Sequence, residues 1–183
     1  MGNAKPPKIL IVDPDARVTE MVVDCLSRRF GAQLTCTARA EDALDIEIIE
    51  PHDIAVADVD LPGLDGIALI QHLKELSDRP VILTSGRPTL SQAIEALRHG
   101  AADYLPKPFP MPYLIEVVDR SLVAYRRTRR REQRYRQLRR TVRRVLRDRR
   151  ELNDRIDLIC RDLVGAHRRL VHRVLENEQA TNA

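Results

Sequence analysis

The stretch IAVADVDLPGLDG, residues 54–66, decides the fold of this chain. Its first four residues, Ile54 to Ala57, are small and apolar and predict a short buried strand. The residues LPGLDG that begin at Leu61 contain proline and glycine and predict a loop. Aspartate is poor strand material, but open α/β sheets bind ligands just outside the carboxyl ends of their strands. Asp58 is therefore either a site residue or a cap of the next helix, and this stretch alone leaves both interpretations open.

The composition indicates a folded chain with an aliphatic core. Of the 183 residues, 43% are hydrophobic, but there is no tryptophan and there are only two phenylalanines. The first residues, MGNAKPPK, match neither a secretion signal nor a membrane span. The three cysteines, Cys25, Cys36 and Cys160, have no metal-binding or redox spacing. These features predict a cytoplasmic protein with reduced thiols.

Charge divides the chain into two parts. The net charge is +4, but residues 1–125 carry −7 and residues 126–150 carry +12. Such a change in charge indicates a boundary near Tyr125. We expect a folded domain over residues 1–124 and an arginine-rich helical segment over residues 125–183.

Strand-like and helix-like patterns alternate in the first part. Short apolar runs predict five strands, over residues 8–13, 33–37, 54–58, 80–85 and 102–106. Helical spacing of apolar residues predicts helices over residues 16–30, 40–49, 64–76 and 89–100, and a fifth that begins near Pro112. Buried strands that alternate with helices indicate an α/β fold with a parallel sheet covered on both faces.

Polar side chains follow the strands at the ends that a parallel sheet brings to one edge. Asp13 ends the first strand, Asp58 ends the third, Thr84 lies at the end of the fourth and Lys107 follows the fifth. Carboxylates near a loop carbonyl suit Mg²⁺, and a carboxylate beside a metal ion can attack phosphorus. A hydroxyl and an ammonium can hold phosphoryl oxygens. The pattern predicts a site for phosphoryl chemistry.

Residues 8–124 resemble the receiver domain of bacterial response regulators, the phospho-acceptor module of two-component signalling. The resemblance rests on four motifs in order: ILIVD (9–13), ADVDLPGLDG (57–66), PVILTSG (80–86) and AIEALRHGAADYLPKPF (93–109). It implies a flavodoxin-like fold with a five-stranded parallel sheet in the order 2-1-3-4-5. It also implies a sensor histidine kinase as the phosphoryl donor.

The resemblance assigns the acidic residues to one site. Asp58 would be the phospho-acceptor, and Asp13, Asp58 and the backbone carbonyl of Asp60 would hold Mg²⁺. The family usually has two adjacent acids after the first strand, but here Pro14 occupies the second position. We expect weakened Mg²⁺ binding, with Asp15 or water replacing the missing oxygen. Both a working phospho-acceptor and a degenerate receiver remain open.

The resemblance also assigns the switch. Thr84 would be the switch hydroxyl, Tyr104 the aromatic residue whose rotamer reports the switch, and Lys107 the partner of the phosphoryl group. The Lys107–Pro108 bond is expected to be cis.

The second part of the chain has the pattern of one long helix. After Pro112 there is no proline, and Gly165 is the one glycine before about Leu175. Apolar residues recur at alternating spacings of three and four, which is typical of a coiled-coil seam. The seam residues that we expect to drive homodimer formation are Leu138, Val142, Val145, Leu152, Ile156, Ile159, Leu163 and Leu170. Arg149, also at a seam position, favours a coiled coil with few helices over a larger bundle.

The arginine run within residues 126–150 leaves three interpretations open. It is a solvated helix surface, a nucleic-acid contact that grips phosphates, or a binding surface for an acidic protein. The whole sequence predicts a response regulator that is not an enzyme and that signals through its coiled coil to a protein partner. The alternatives are a DNA-binding regulator that uses the arginine-rich helix and a scaffold with a degenerate receiver.

Overall fold

Strands and helices alternate along the chain in the predicted order. The structure is a computed structural model that describes the backbone of residues 5–181 and the side chains of residues 5–156 and 158–165. The strands are β1 (Lys8–Val12), β2 (Gln33–Thr37), β3 (Ile54–Asp58), β4 (Val81–Ser85) and β5 (Asp103–Pro106). The helices are α1 (Ala16–Phe30), α2 (Ala40–Ile49), α3 (Gly66–Leu76), α4 (Leu90–Arg98) and α5 (Met111–Thr181).

The five strands form one parallel sheet in the order β2-β1-β3-β4-β5, and this confirms the flavodoxin-like order. Every residue of β3 and of β4 is buried. Because helices cover both faces of the sheet, both sets of alternating side chains lie away from water. This is why these strands are unbroken apolar runs in the sequence rather than alternating patterns.

Successive strand residues contribute to two separate core layers. Leu10 and Leu83 belong to a layer that includes residues of α2, α3 and α4. Ile9 and Ile82 belong to a layer on the other face, formed with α1 and the first turns of α5. The largest fully buried side chains are all leucine, isoleucine or valine. The core is therefore aliphatic, as the composition predicted.

The first residue of α3 fixes the loop that follows β3. A Cβ atom added at Gly66 would lie 2.2 Å from the carbonyl oxygen of Asp58. The backbone N–H of Gly66 also donates to the carbonyl of Val59 at 3.0 Å. Asp65 caps the helix, since its side chain accepts the N–H of Ala68. The helix therefore begins two residues later than the predicted position 64, and its start lies against the end of β3.

A buried polar cluster lies before the amino ends of β3 and β4. His52 is 3% exposed, and its Nδ1 atom lies 2.8 Å from Oε2 of Glu47 on α2. Its Nε2 atom lies 2.9 Å from the hydroxyl of Thr35, and Arg79 pairs with the same Glu47. Burial lowers the pKa of His52 below its ordinary value.

Helix α5 contributes residues to two compact units, one that ends at Arg129 and one that begins at Arg130. Near its start, α5 buries Leu114 and Val118 in the core of the first unit. From residue 127 to residue 164, every described side chain is exposed. In the part of the chain that the structure describes, no helix is both long and apolar enough to cross a membrane.

Candidate functional site

The pairing of parallel strands brings four polar residues to the carboxyl edge of the sheet. Asp58, the last residue of β3, is paired in register with Thr84 of β4. Asp13 directly follows β1, which pairs with β3. Lys107 directly follows β5, which pairs with β4. The structure therefore brings together the four side chains that the strand ends predicted.

The ammonium of Lys107 lies between the two carboxylates. Its Nζ atom donates to Oδ2 of Asp13 at 2.6 Å and also to Oδ2 of Asp58. Asp13 and Asp58 are only 7% and 6% exposed. Burial by itself would lower the pKa of Lys107, but the hydrogen bonds to Asp13 and Asp58 outweigh it and raise that pKa above its ordinary value. The amine therefore stays charged at neutral pH.

Each carboxylate is also held by the backbone two residues further along the chain. The N–H of Asp60 donates to Oδ1 of Asp58 at 2.8 Å, and the N–H of Asp15 donates to Oδ1 of Asp13 at 2.9 Å. These local turns fix how the two acids point. The Asp15 side chain caps α1 instead, since its Oδ1 atom accepts the N–H of Arg17 at 2.9 Å. Asp15 thus serves the helix in this structure rather than joining the buried pair.

The oxygens at this edge fit a magnesium ion with few protein ligands. Mg²⁺ usually keeps several waters and needs only one or two carboxylates, which Asp13 and Asp58 supply beside the loop that carries Asp60. Pro14 is exposed and has no side-chain oxygen. Among the described residues, no three histidine, cysteine, aspartate or glutamate side chains are grouped as a metal site. The donor set therefore fits Mg²⁺ but is smaller than a set with two adjacent acids.

The predicted switch residues lie on the last two strands of the sheet, with Thr84 on β4 paired with Asp58 and Tyr104 on β5 paired with Leu83. The Thr84 hydroxyl is buried and donates to the carbonyl of Ala57 at 3.4 Å. The Tyr104 ring packs against the core layer that contains Leu83, and its hydroxyl is buried with no hydrogen-bond partner among the described residues. The Lys107–Pro108 bond is cis, as the resemblance implied.

One charged residue at this edge was missed by the sequence reasoning. Arg87 follows β4 and its Nη2 atom lies 3.5 Å from Oδ1 of Asp60. Its side chain is 86% exposed, so the pair is a weak surface contact. The sequence could have predicted this position, because the loop after β4 lies at the same edge of the sheet as Asp58.

The predicted seam residues of α5 have exposed side chains in this single chain. Their exposed fractions run from 47% at Val142 to 64% at Leu163, and the others are Leu138, Val145, Leu152, Ile156 and Ile159. The side chain of Leu170 lies outside the described residues. An apolar stripe of this length is thus left without a partner in the part of the chain described.

Comparison with known proteins places the first part of the chain in one family. The family model for the response regulator receiver domain matches residues 9–119. The DNA-binding transcriptional regulator NtrC of Klebsiella pneumoniae is 34% identical over 118 residues, which are 63% of this chain and 24% of that protein. The chain thus spans about a quarter of the length of the NtrC proteins that it matches.

Solved structures agree with this placement. The receiver domain of the Francisella response regulator 1452 is 32% identical, has a TM-score of 0.59, and covers 67% of this chain and 98% of its own. NtrX from Brucella abortus is 31% identical, has a TM-score of 0.64, and covers 68% of this chain and 28% of its own. With its sheet order, its paired acids and the match over residues 9–119, the chain belongs to the response regulator receiver domain family of two-component signalling.

Proposed function

We propose that Asp58 accepts a phosphoryl group from a sensor histidine kinase in the cytoplasm and that the chain works as a response regulator. Receiver domains of two-component systems take phosphoryl groups from histidine kinases. In the transfer, an Asp58 oxygen would form a bond to phosphorus as the bond between phosphorus and the kinase histidine breaks. The observation that carries this proposal is the orientation of Asp58, whose two oxygens are held by the Asp60 N–H and the Lys107 ammonium.

Charge at the site supports the same assignment. Phosphorylation adds about −1.5 to −2 charges, and Lys107 lies where its ammonium can offset them. Receiver domains generally bind Mg²⁺ at an acidic pocket, where the ion neutralises charge on phosphoryl oxygens. Asp13, Asp58 and the carbonyl of Asp60 are the groups that would hold it here. We expect Pro14 to weaken the binding, because that position offers no carboxylate.

Thr84 and Tyr104 are proposed to transmit the change. The hydrogen bond of the Thr84 hydroxyl to the Ala57 carbonyl is long, at 3.4 Å, and is easily exchanged for one to a phosphoryl oxygen. Thr84 lies on β4 and Tyr104 lies on the neighbouring strand β5. Because the two strands are direct neighbours, a movement of Thr84 can alter the packing of the Tyr104 ring without passing through another strand.

Phosphorylation with acetyl phosphate and Mg²⁺ tests the acceptor. Wild type should gain a single acid-labile phosphoryl group by intact mass, and Asp58→Asn should gain none. Asp65→Asn is the matched control, because Asp65 is an aspartate of the same loop that only caps α3. Full labelling of Asp58→Asn would refute the acceptor assignment, and no labelling of wild type by acetyl phosphate or by a kinase would favour a degenerate receiver.

We further propose that the chain pairs with a second copy through the seam of α5 and signals through this coil to a protein partner. The seam side chains, such as Ile156 and Ile159, are 48% and 57% exposed and recur with the spacing of a coiled coil. A second copy offers the same stripe in the same spacing, so the two stripes match. Burial of apolar surface stabilises pairing by about 25 cal/mol per Å² removed from water.

Sedimentation equilibrium of the full chain tests this pairing. Wild type should be a dimer at tens of micromolar and ordinary salt. Ile156→Asp with Ile159→Asp should be a monomer, because both charges would be buried in the seam. Leu158→Asp with Val164→Asp removes side chains that are 60% and 54% exposed but lie off the seam, and it should stay a dimer. A monomeric wild type, or equal loss of pairing in both variants, would refute the coiled coil.

A further inference from the structure

The face of α5 opposite the seam carries arginine and no apolar side chain over residues 130–150. When Leu138 and Val145 occupy heptad position d, this face consists of positions b, c and f, which we call the arginine face. It holds seven arginines and two glutamines, and among them Arg136, Arg140, Arg143 and Arg147 form its centre. Every side chain of this stretch is exposed.

Few acidic residues lie among these arginines within residues 130–150, and just beyond that stretch Glu151 lies four residues after Arg147. Within residues 130–150, eleven arginines face only two acids, Glu132 and Asp148, and both acids lie off the arginine face. Among the side chains that the structure describes, no ion pair involves an arginine of this face. Arg136 and Arg140 are four residues apart, as are Arg143 and Arg147, and like charges at that spacing destabilise a helix. An anionic partner would remove this repulsion.

The composition of the face selects among anionic partners. A protein interface needs apolar or aromatic anchors at its centre, and the arginine face has none. Single-stranded nucleic acid is bound through stacking on aromatic side chains. The one aromatic residue of the stretch, Tyr135, lies in the seam and is covered by Arg139. A membrane-surface helix inserts its apolar face, which would point the arginine face away from the lipid.

Length and side-chain chemistry favour duplex DNA. The twenty residue steps from position 130 to position 150 span about 30 Å of helix, close to the roughly 34 Å of one turn of B-DNA. The stretch contains arginine and no lysine. The planar guanidinium group binds phosphate oxygens in pairs and is weakly hydrated, which suits contacts to a phosphate backbone.

We infer that the arginine face binds the phosphate backbone of duplex DNA without reading its sequence. The seam lies on the opposite side of the helix, so the binding requires neither its pairing nor phosphorylation of Asp58. With Gln133 and Gln137 as the only amides of the face, base contacts supply little, and two unrelated duplexes of equal length should bind alike.

Fluorescence anisotropy of the full chain with labelled 20-base-pair duplexes, over a salt series from 50 to 200 mM, tests the inference. Wild type should bind both duplexes, with affinity that falls steeply as salt rises. Arg140→Gln with Arg147→Gln should bind more weakly and flatten the slope of log affinity against log salt by about 2, because each lost phosphate contact removes about 0.9. Glutamine has nearly the helix propensity of arginine, so circular dichroism should be unchanged.

The matched control is Arg155→Gln with Arg161→Gln, which removes the same charge from exposed arginines of α5 beyond the face. It should keep the wild-type slope. If both double variants lower the salt slope equally, the effect depends only on net charge, and the inference is wrong. No binding at 50 mM salt would also overturn it. Tighter binding of hairpin RNA or polyglutamate would assign the face to another partner, as would binding of anionic lipid vesicles without binding of DNA.

Discussion

Replacing Pro14 with aspartate should tighten Mg²⁺ binding about ten-fold. Pro14 is exposed and follows Asp13, whose buried carboxylate shares Lys107 with Asp58. A carboxylate at position 14 would add a charged oxygen to the small donor set. Asp15, which follows, would keep its place as the cap of α1.

The size of the effect follows from charge and exposure. A divalent ion and a carboxylate about 4 Å apart attract by about 2 kcal/mol at the dielectric constant of water. The carboxylate loses part of its hydration when it contacts the ion, and we take the net gain as about 1.4 kcal/mol, which is a factor of ten in affinity. Losing proline at a compatible position also costs about 0.4–1 kcal/mol of stability through the unfolded chain. The variant should therefore be slightly less stable without Mg²⁺ and gain more from its addition.

Isothermal titration calorimetry with MgCl₂ measures the affinity directly and suits a chain without tryptophan. Pro14→Asn is the matched control, since it also removes the ring but adds no charge, and it should stay near wild type. If the asparagine variant binds Mg²⁺ as tightly as the aspartate variant, charge is not the cause. If neither variant binds more tightly, an oxygen already fills the place, and Asp15→Asn should then weaken binding in the wild-type background.

Two further predictions concern stability. Gly66→Ala should lower the free energy of unfolding by about 1–3 kcal/mol and slow phosphorylation of Asp58, because the new methyl group meets a carbonyl 2.2 Å away. Gly86→Ala, whose added Cβ atom would meet no described atom beyond its chain neighbours within 4 Å, should change it by less than about 1 kcal/mol, and equal effects in urea unfolding would contradict the packing argument. Burial lowers the pKa of His52, so as the pH is lowered the unfolded chain takes up a proton before the folded chain does. The free energy of unfolding should therefore decrease as the pH falls below about 6.5. His52→Gln should flatten this loss between pH 7 and pH 5, whereas the exposed control His72→Gln should not, and an unchanged slope in His52→Gln would contradict the assignment.

The sheet and its polar edge were predictable because local patterns determine them. Strands buried on both faces must be apolar throughout, so a polar residue such as Asp58 marks where a strand ends. Parallel pairing then brings Asp13, Thr84 and Lys107 to the same edge, whatever the loops contain. The sequence thus predicted which residues meet at the site, although it gave no distances between them.

Contacts between distant parts of the chain were not predictable in the same way. His52, Glu47 and Arg79 come from three different segments, and no spacing in the sequence signals that they form one buried cluster. Asp15 caps α1 instead of lying beside Asp13 in the site, and this depends on backbone geometry that the sequence periodicity does not reveal. Periodicity indicates which side of an element is buried, but it does not name the partner.

The Tyr104 hydroxyl has no hydrogen-bond partner among the described residues, and this affects the balance between inward and outward positions of the ring. A buried polar group without a hydrogen bond costs about 1–3 kcal/mol, and an outward ring would recover this from water. Relative to phenylalanine at the same position, that cost multiplies the ratio of outward to inward rings by about five to more than one hundred. The inward and outward positions of the Tyr104 ring are thus closer in free energy than the packing of the ring alone would make them. We therefore expect phosphorylation of Asp58 to turn a larger fraction of the rings outward in this chain than in a Tyr104→Phe variant.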